Sequence, residues 1–208
     1  MEANIRVSLK TPILKLYYSE LDAMKQIAEQ YHLPFRTGLE IFPALENDRS
    51  VQQYAVSMRD SLRYEFREYD ERPRSLDNEE NFKKVNLLEE RPLFRCKLGQ
   101  ASCVIDYEGR MCPCMSFRQV GRNLTFDNFH EVWNSFSTYP KMKASPTYKC
   151  LKCEAYDFCD ICPAKMDSEH GSLEFVDSHF CKSAKARYKY YVEGLRENEV
   201  LEEIRDNW

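Results

Sequence analysis

The chain has no apolar run of eighteen or more residues, so no segment is expected to span a membrane. It opens Met-Glu-Ala-Asn-Ile-Arg-Val-Ser, with an acid near the start and no apolar core run, which argues against a signal peptide. It also lacks a basic block. Its 30 Lys and Arg are scattered among 34 Asp and Glu, the net charge is −4, and no nucleic-acid-binding face is expected. Histidine is scarce: His32, His130, His170 and His179 are the whole set. No two of them stand at i, i+4, so they read as exposed or capping residues. Internal repeats and low-complexity tracts are absent, and no cysteine precedes Cys96.

What the chain does have is cysteine, nine of them in 208 residues. Four fall in one short run, Cys150-Leu-Lys-Cys153-Glu-Ala-Tyr-Asp-Phe-Cys159-Asp-Ile-Cys162. Cys96, Cys103, Cys112 and Cys114 precede that run and Cys181 follows it. Without a signal peptide the expected compartment is a reducing cytoplasm, where dense thiols point to metal rather than to disulfides. Cys-x-x-Cys pairs hold structural zinc as readily as iron–sulfur clusters, so spacing alone leaves both open. With 43% hydrophobic residues the chain can bury a core, as one domain or two small ones.

The pattern along the chain is α+β. Ile5–Leu9 alternates like a strand, and Ser19-Glu-Leu-Asp resembles a helix cap. Leu21, Met24, Ile27, Ala28 and Tyr31 follow at helical spacing, and Phe35–Phe42 reads as a second strand. Strand, helix, strand predicts a βαβ unit with a right-handed parallel crossover. One such unit cannot cover both faces of a parallel sheet by itself. Ser57 repeats the capping signal before a helix with Leu62, Phe66 and Tyr69 in one stripe. Residues 71–95 are polar, interrupted by Pro73 and Pro92, and read as a linker with one short helix near Phe82–Leu88. Beyond it, Cys103–Asp106 and Arg110–Cys112 flank a turn ending in Gly109, a hairpin signal. Asn128 is a candidate N-cap for a helix carrying Phe129, Val132, Trp133 and Phe136. A long final helix is expected from about Ser178 to Arg205. Asp106 reads as a turn acid rather than a base.

The ordered cysteine set, with Gly109-x-x-x-Pro113-Cys114 and with Gly121-Arg-Asn-Leu leading to Glu131-Val-Trp-Asn-Ser135, resembles the SPASM domain of radical S-adenosylmethionine (SAM) enzymes. The resemblance covers about Cys96–Tyr191. It implies two auxiliary 4Fe–4S clusters with interleaved ligands. Cys96, Cys103, Cys114 and Cys162 would hold the first, and Cys150, Cys153, Cys159 and Cys181 the second. Cys112 is then surplus, with replacement of Cys114 as the alternative. Residues 1–70 resemble the end of a radical SAM partial (β/α) barrel, and residues 96–208 would form the cysteine-rich domain of hairpin, helices and cluster-binding loops. The implied function is that of a maturase acting on a peptide or protein. The clusters would carry electrons or anchor substrate.

Three departures from the family qualify this. Two residues, not the commoner three, separate Cys159 from Cys162. Met115 stands where sulfatase-maturating members have an aspartate base. No Cys-x3-Cys-x2-Cys loop is present, so SAM would be a cofactor only if a missing N-terminal part supplied that loop. The expected partners are therefore a peptide or protein substrate and a separate radical SAM core or electron donor. The alternatives are a stand-alone electron-transfer or docking module with two clusters, and a structural zinc module. No catalytic residue is assigned.

Overall fold

The computed structural model describes residues 5–38, 41, 50–71 and 92–204. Those residues form a mixed α+β protein of small sheets and six helices. The chain divides into two compact units, Met1–Pro73 with Arg196–Trp208, and Arg74–Leu195.

The first unit begins with β1 (Leu9–Pro12), α1 (Leu21–Gln30) and β2 (Phe35–Gly38). β1 and β2 pair in parallel, Leu9 opposite Phe35 and Pro12 opposite Gly38, which is the expected βαβ arrangement. The first strand lies later than Ile5–Leu9. The second is described only to Gly38, and the rest of its expected span lies largely outside the described residues. Ser19 does not cap α1. A 3₁₀ turn over Lys15–Glu20 runs straight into the helix, so preceding carbonyls stand where a capping side chain would. At its other end α1 closes with His32 at φ 53, and Leu33 N–H reaches the Ala28 carbonyl at 2.9 Å. That bond is the signature of a Schellman cap, with histidine in the left-handed position.

Ile13, Leu21, Val56 and Tyr64 form the apolar centre of this unit. Of the expected α1 stripe, Leu21 and Ala28 are buried, whereas Ile27 and Tyr31 are exposed. A single βαβ unit offers those two nothing to pack on, as its small area suggests. α2 (Met58–Glu71) starts at Ser57, whose hydroxyl accepts the Asp60 N–H at 3.1 Å, the expected cap. Leu62 and Phe66 of α2 are fully buried. Ion pairs Lys25–Glu68 (2.9 Å) and Arg67–Asp22 (2.7 Å) tie α2 to α1. The short α6 (Glu197–Glu202) returns to this unit, and Arg59 donates to the Ile204 carbonyl at 3.0 Å.

In the second unit, β3 (Val104–Ile105), β4 (Arg110–Cys112) and β5 (Arg122–Asn123) make a three-stranded antiparallel sheet in that order. The hairpin is the expected one, with Gly109 at φ 77 in its turn. α3 (Phe129–Ser135) is capped by Asn128, whose side chain accepts the His130 N–H at 2.9 Å. Val132 and Phe136 bury against Met111 of β4. The cysteine run is built from 3₁₀ turns over Lys149–Lys152 and Tyr156–Phe158, followed by α4 (Pro163–His170) and α5 (Ser178–Tyr191). The single final helix expected to Arg205 is thus two helices, broken where Gly194 takes φ 71. The linker, with its short helix near Phe82–Leu88, lies largely outside the described residues.

Candidate metal centre

All nine cysteines are free thiols, and all nine lie in the second unit. Cys114 follows β4 directly, half-buried in a turn where the Phe117 N–H reaches its carbonyl at 3.2 Å. Burial pushes its thiol up, two backbone N–H groups of Ser116 and Phe117 oppose that, and Cys162 and Cys96 add their own negative charge. Cys114 and Cys162 both border the buried cluster that contains Cys150, as does Cys153. Cys96 is exposed, and Cys162 stands half-buried at the N-cap of α4, with Pro163 fixing the first helical residue. Cys103 precedes β3 and borders the Met111–Val132–Phe136 cluster instead. The described interactions do not join it to the other three.

The remaining four thiols act electrostatically on one another. Burial raises the Cys150 thiol, and Cys181 and Cys153 raise it further. The Tyr148 hydroxyl and the Arg95 guanidinium pull the other way by favouring the thiolate. Burial pushes the Cys159 thiol up to about 11. Cys150 and Cys181 add to that shift, while the Ile161 N–H and Arg95 oppose it. Burial likewise raises Cys181, Cys153 adds to it, and Lys185 and Lys149 counteract. Cys150 thus acts with Cys153, Cys159 and Cys181, and Cys153 also borders the buried cluster that contains Cys159.

Cys112 stands apart from both groups of thiols. It is 1% exposed, in β4, and the charges around its thiol are Asp106, Arg110 and Arg118. Its sulfur lies 3.7 Å from the Arg118 carbonyl and rests against Gly121. A Cβ at residue 121 would collide with that sulfur and come within 2.8 Å of the Arg110 side chain, so the position requires glycine.

Two arginines that the cysteine pattern does not signal hold the central turn. Arg95 donates to the Tyr156 carbonyl at 2.7 Å and to the Cys159 carbonyl, and lies 4.5 Å over the Tyr156 ring. Arg187 of α5 donates to the Phe158 carbonyl at 3.1 Å and pairs with Asp160 at 2.6 Å. Arg95 joins the Cys159 N–H on the Tyr156 carbonyl, and the two guanidinium groups also serve the Cys159 and Phe158 carbonyls at the end of the turn. Asp106, 5% exposed, accepts from the Glu108 and Arg110 N–H groups and from the Arg110 and Arg118 side chains. That is a turn acid with its oxygens occupied. Lys165 is buried on α4, 3.9 Å from Glu169 and over the Phe180 ring.

Among the described residues, no three His, Cys, Asp or Glu side chains converge closely enough to hold one metal ion. A single zinc needs its four sulfurs about 2.3 Å from one point. A four-iron cluster carries its thiolates on separate irons and so spans a wider set. Two such clusters would call for eight thiolates, and the second unit holds nine cysteines. Among the described residues, no helix is long and apolar enough to cross a membrane. No family model, no curated protein and no solved structure matches the chain.

Proposed function

We propose that the chain binds two 4Fe–4S clusters and serves as the auxiliary-cluster portion of a radical SAM/SPASM maturase acting on a peptide or protein. The observation that supports the reading is the set of thiols acting on each other: Cys162 and Cys96 act on the Cys114 thiol, and Cys150 and Cys181 act on the Cys159 thiol. A single zinc knuckle would use Cys159 and Cys162 together. Cys96, Cys103, Cys114 and Cys162 would hold one cluster, and Cys150, Cys153, Cys159 and Cys181 the other.

When bound, such clusters supply one-electron transfer or an anchoring iron; the protein supplies position and electrostatics. Here the Tyr148 hydroxyl and the Arg95 guanidinium favour the charged form of thiols in the second set. Pro163 and the α4 N-terminus fix Cys162, and α5 fixes Cys181. The 208 residues contain no Cys-x3-Cys-x2-Cys loop, so SAM cleavage is not assigned to them. That same feature favours a second reading, a cluster-bearing electron-transfer or docking module that works without SAM.

Iron and acid-labile sulfide, measured after anaerobic reconstitution, test the proposal. About eight of each per chain are expected from two four-iron clusters. Stoichiometric zinc without sulfide would overturn it. Formation of 5′-deoxyadenosine by the purified chain would contradict the assignment of SAM cleavage elsewhere.

A further inference from the structure

We infer that Lys149, Lys152, Lys182 and Lys185 form a docking face for an acidic polypeptide segment. The inference goes beyond the proposed function and needs no bound metal.

The chain carries a net charge of −4, yet its charges are unevenly spread. No acid occurs from Val132 to Cys153, or from Ser178 to Val192. The first stretch carries Lys141, Lys143, Lys149 and Lys152, and the second carries Lys182, Lys185, Arg187 and Lys189. A single lysine run is usually no more than a solvated face. Here two runs from distant parts of the chain come together. The Lys149–Lys152 turn leads into Cys153, which borders the buried cluster containing Phe180 and Ala184 of α5. A few residues on, the Phe158 ring meets Tyr188 edge-on, 5.9 Å between centres, and stacks on Tyr191. The segment is thus laid along α5. Lys182 and Lys185 flank the buried Ser183 and Ala184 of that helix, and all four lysines are exposed. The Cys181 thiol feels the charge of Lys149 and of Lys185, one from each segment.

None of the four lysines makes an ion pair among the described residues, whereas Arg110, Arg118, Arg122 and Arg187 of the same unit all do. The exposed acids Glu154 and Asp157 follow the turn in sequence, and Asp160 is held by Arg187. Unpaired cations clustered on a chain that is acidic overall attract an anion by complementary potential. Phosphate recognition favours the planar arginine fork, and the one arginine of the two runs is already paired. Single-stranded nucleic acid also needs free aromatic faces. Tyr188 and Tyr191 are packed on Phe158, and Tyr190 on Tyr191. Lysine ammonium groups are mobile point charges, suited to a series of carboxylates in no fixed geometry. A Glu- or Asp-rich segment presents just that.

The test is fluorescence anisotropy of labelled decaglutamate with the full chain, iron-loaded and unloaded in parallel. Lys149→Glu with Lys152→Glu should weaken binding about tenfold, and so should Lys182→Glu with Lys185→Glu, the effect of reversing two exposed charges. Lys10→Glu with Lys97→Glu makes the same change in net charge at other exposed positions and should leave affinity within about twofold. Raising salt from about 0.05 to about 0.5 M should abolish wild-type binding. Where a Glu pair disturbs the circular dichroism, the corresponding Lys→Gln pair decides, and it should still weaken binding severalfold. Absence of decaglutamate binding at low salt would overturn the inference, as would an equal loss in the control pair. Tighter binding of oligo(dT) or of phosphatidylserine vesicles than of decaglutamate would assign the face to nucleic acid or to membrane, and overturn it too. A chain that takes up no iron fails the proposed function alone; binding by the unloaded chain still decides the lysine face.

Discussion

Cys112 and Cys114 are separated by one proline and meet opposite surroundings. Cys112 is sealed between β4 and Gly121, with charged groups of the hairpin about it. Cys114 is half-buried, and Cys162 and Cys96 act on its thiol. Cys112→Ala is therefore expected to keep all the iron, and Cys114→Ala to lose about half, the share of one cluster in two. The reverse result in iron analysis would make Cys112 the ligand. Asp106 gives a second residue-scale test. The Arg110 N–H is the main cause that holds its carboxyl below the usual carboxylate range. Burial opposes, and the Arg110 side chain and the Glu108 N–H add to the lowering. A depressed folded value stabilises the protein above the unfolded carboxylate pKa of about 3.9, and the stabilisation fades as pH falls through the folded value. Asp106→Asn should flatten the acid limb of the stability curve below about pH 4, read by near-ultraviolet dichroism. An acid limb as steep as wild type's would show that Asp106 does not contribute. The cysteines announce themselves in the sequence by spacing; Arg95 and Arg187 do not. Their partners are main-chain carbonyls, 61 and 64 residues away for Arg95, and every residue carries a carbonyl.

Among the elements, those with a local chemical signal were legible and those set by tertiary context were not. Asn128 and Ser57 cap helices because their side chains reach free N–H groups of the first turn. The β3–β4 hairpin follows from its turn. β5 has two residues and no room for alternation, so nothing in the sequence marked it as a strand. The final helix kept its apolar spacing on paper, yet the chain turns at Gly194 and Val200 and Leu201 bury in the other unit. At the end of α1 an imidazole-bearing residue occupies φ 53, where a Cβ is strained. His32→Gly is expected to stabilise the chain by up to about 1 kcal/mol in urea melts, the gain from relieving a left-handed side chain less the added freedom of the unfolded chain. A loss of stability would mean that the imidazole makes a compensating contact. Phe136 closes the contact between α3 and the hairpin. It is 1% exposed, and a Cβ at Gly99 would come within 2.5 Å of its own Cβ. Phe136→Ala should cost about 3–5 kcal/mol, the range for emptying a buried aromatic site.

Over the whole molecule, the α+β class and the βαβ start were visible in the sequence, because hydrophobic period distinguishes helix from strand. The assignment of thiols to two sets is not visible from spacing alone; it comes from the family resemblance. The second unit carries long irregular stretches between its hairpin and its last helix. Ordering such backbone costs roughly 1–2 kcal/mol per residue, which buried apolar surface must offset. Bound clusters would add the missing constraint, as structural metals do elsewhere. Loaded chain should accordingly resist protease within residues 96–181 far better than unloaded chain, and equal resistance would deny the clusters that role. The interleaving of the two ligand sets is tested most directly by alkylation footprinting of anaerobically reconstituted Cys162→Ala. Mass spectrometry would locate each modified thiol. The expected result is rapid alkylation of Cys96, Cys103 and Cys114, with Cys150, Cys153, Cys159 and Cys181 protected by the remaining cluster. Protection of Cys96, Cys103 and Cys114, with exposure of Cys150, Cys153 and Cys159, would contradict it.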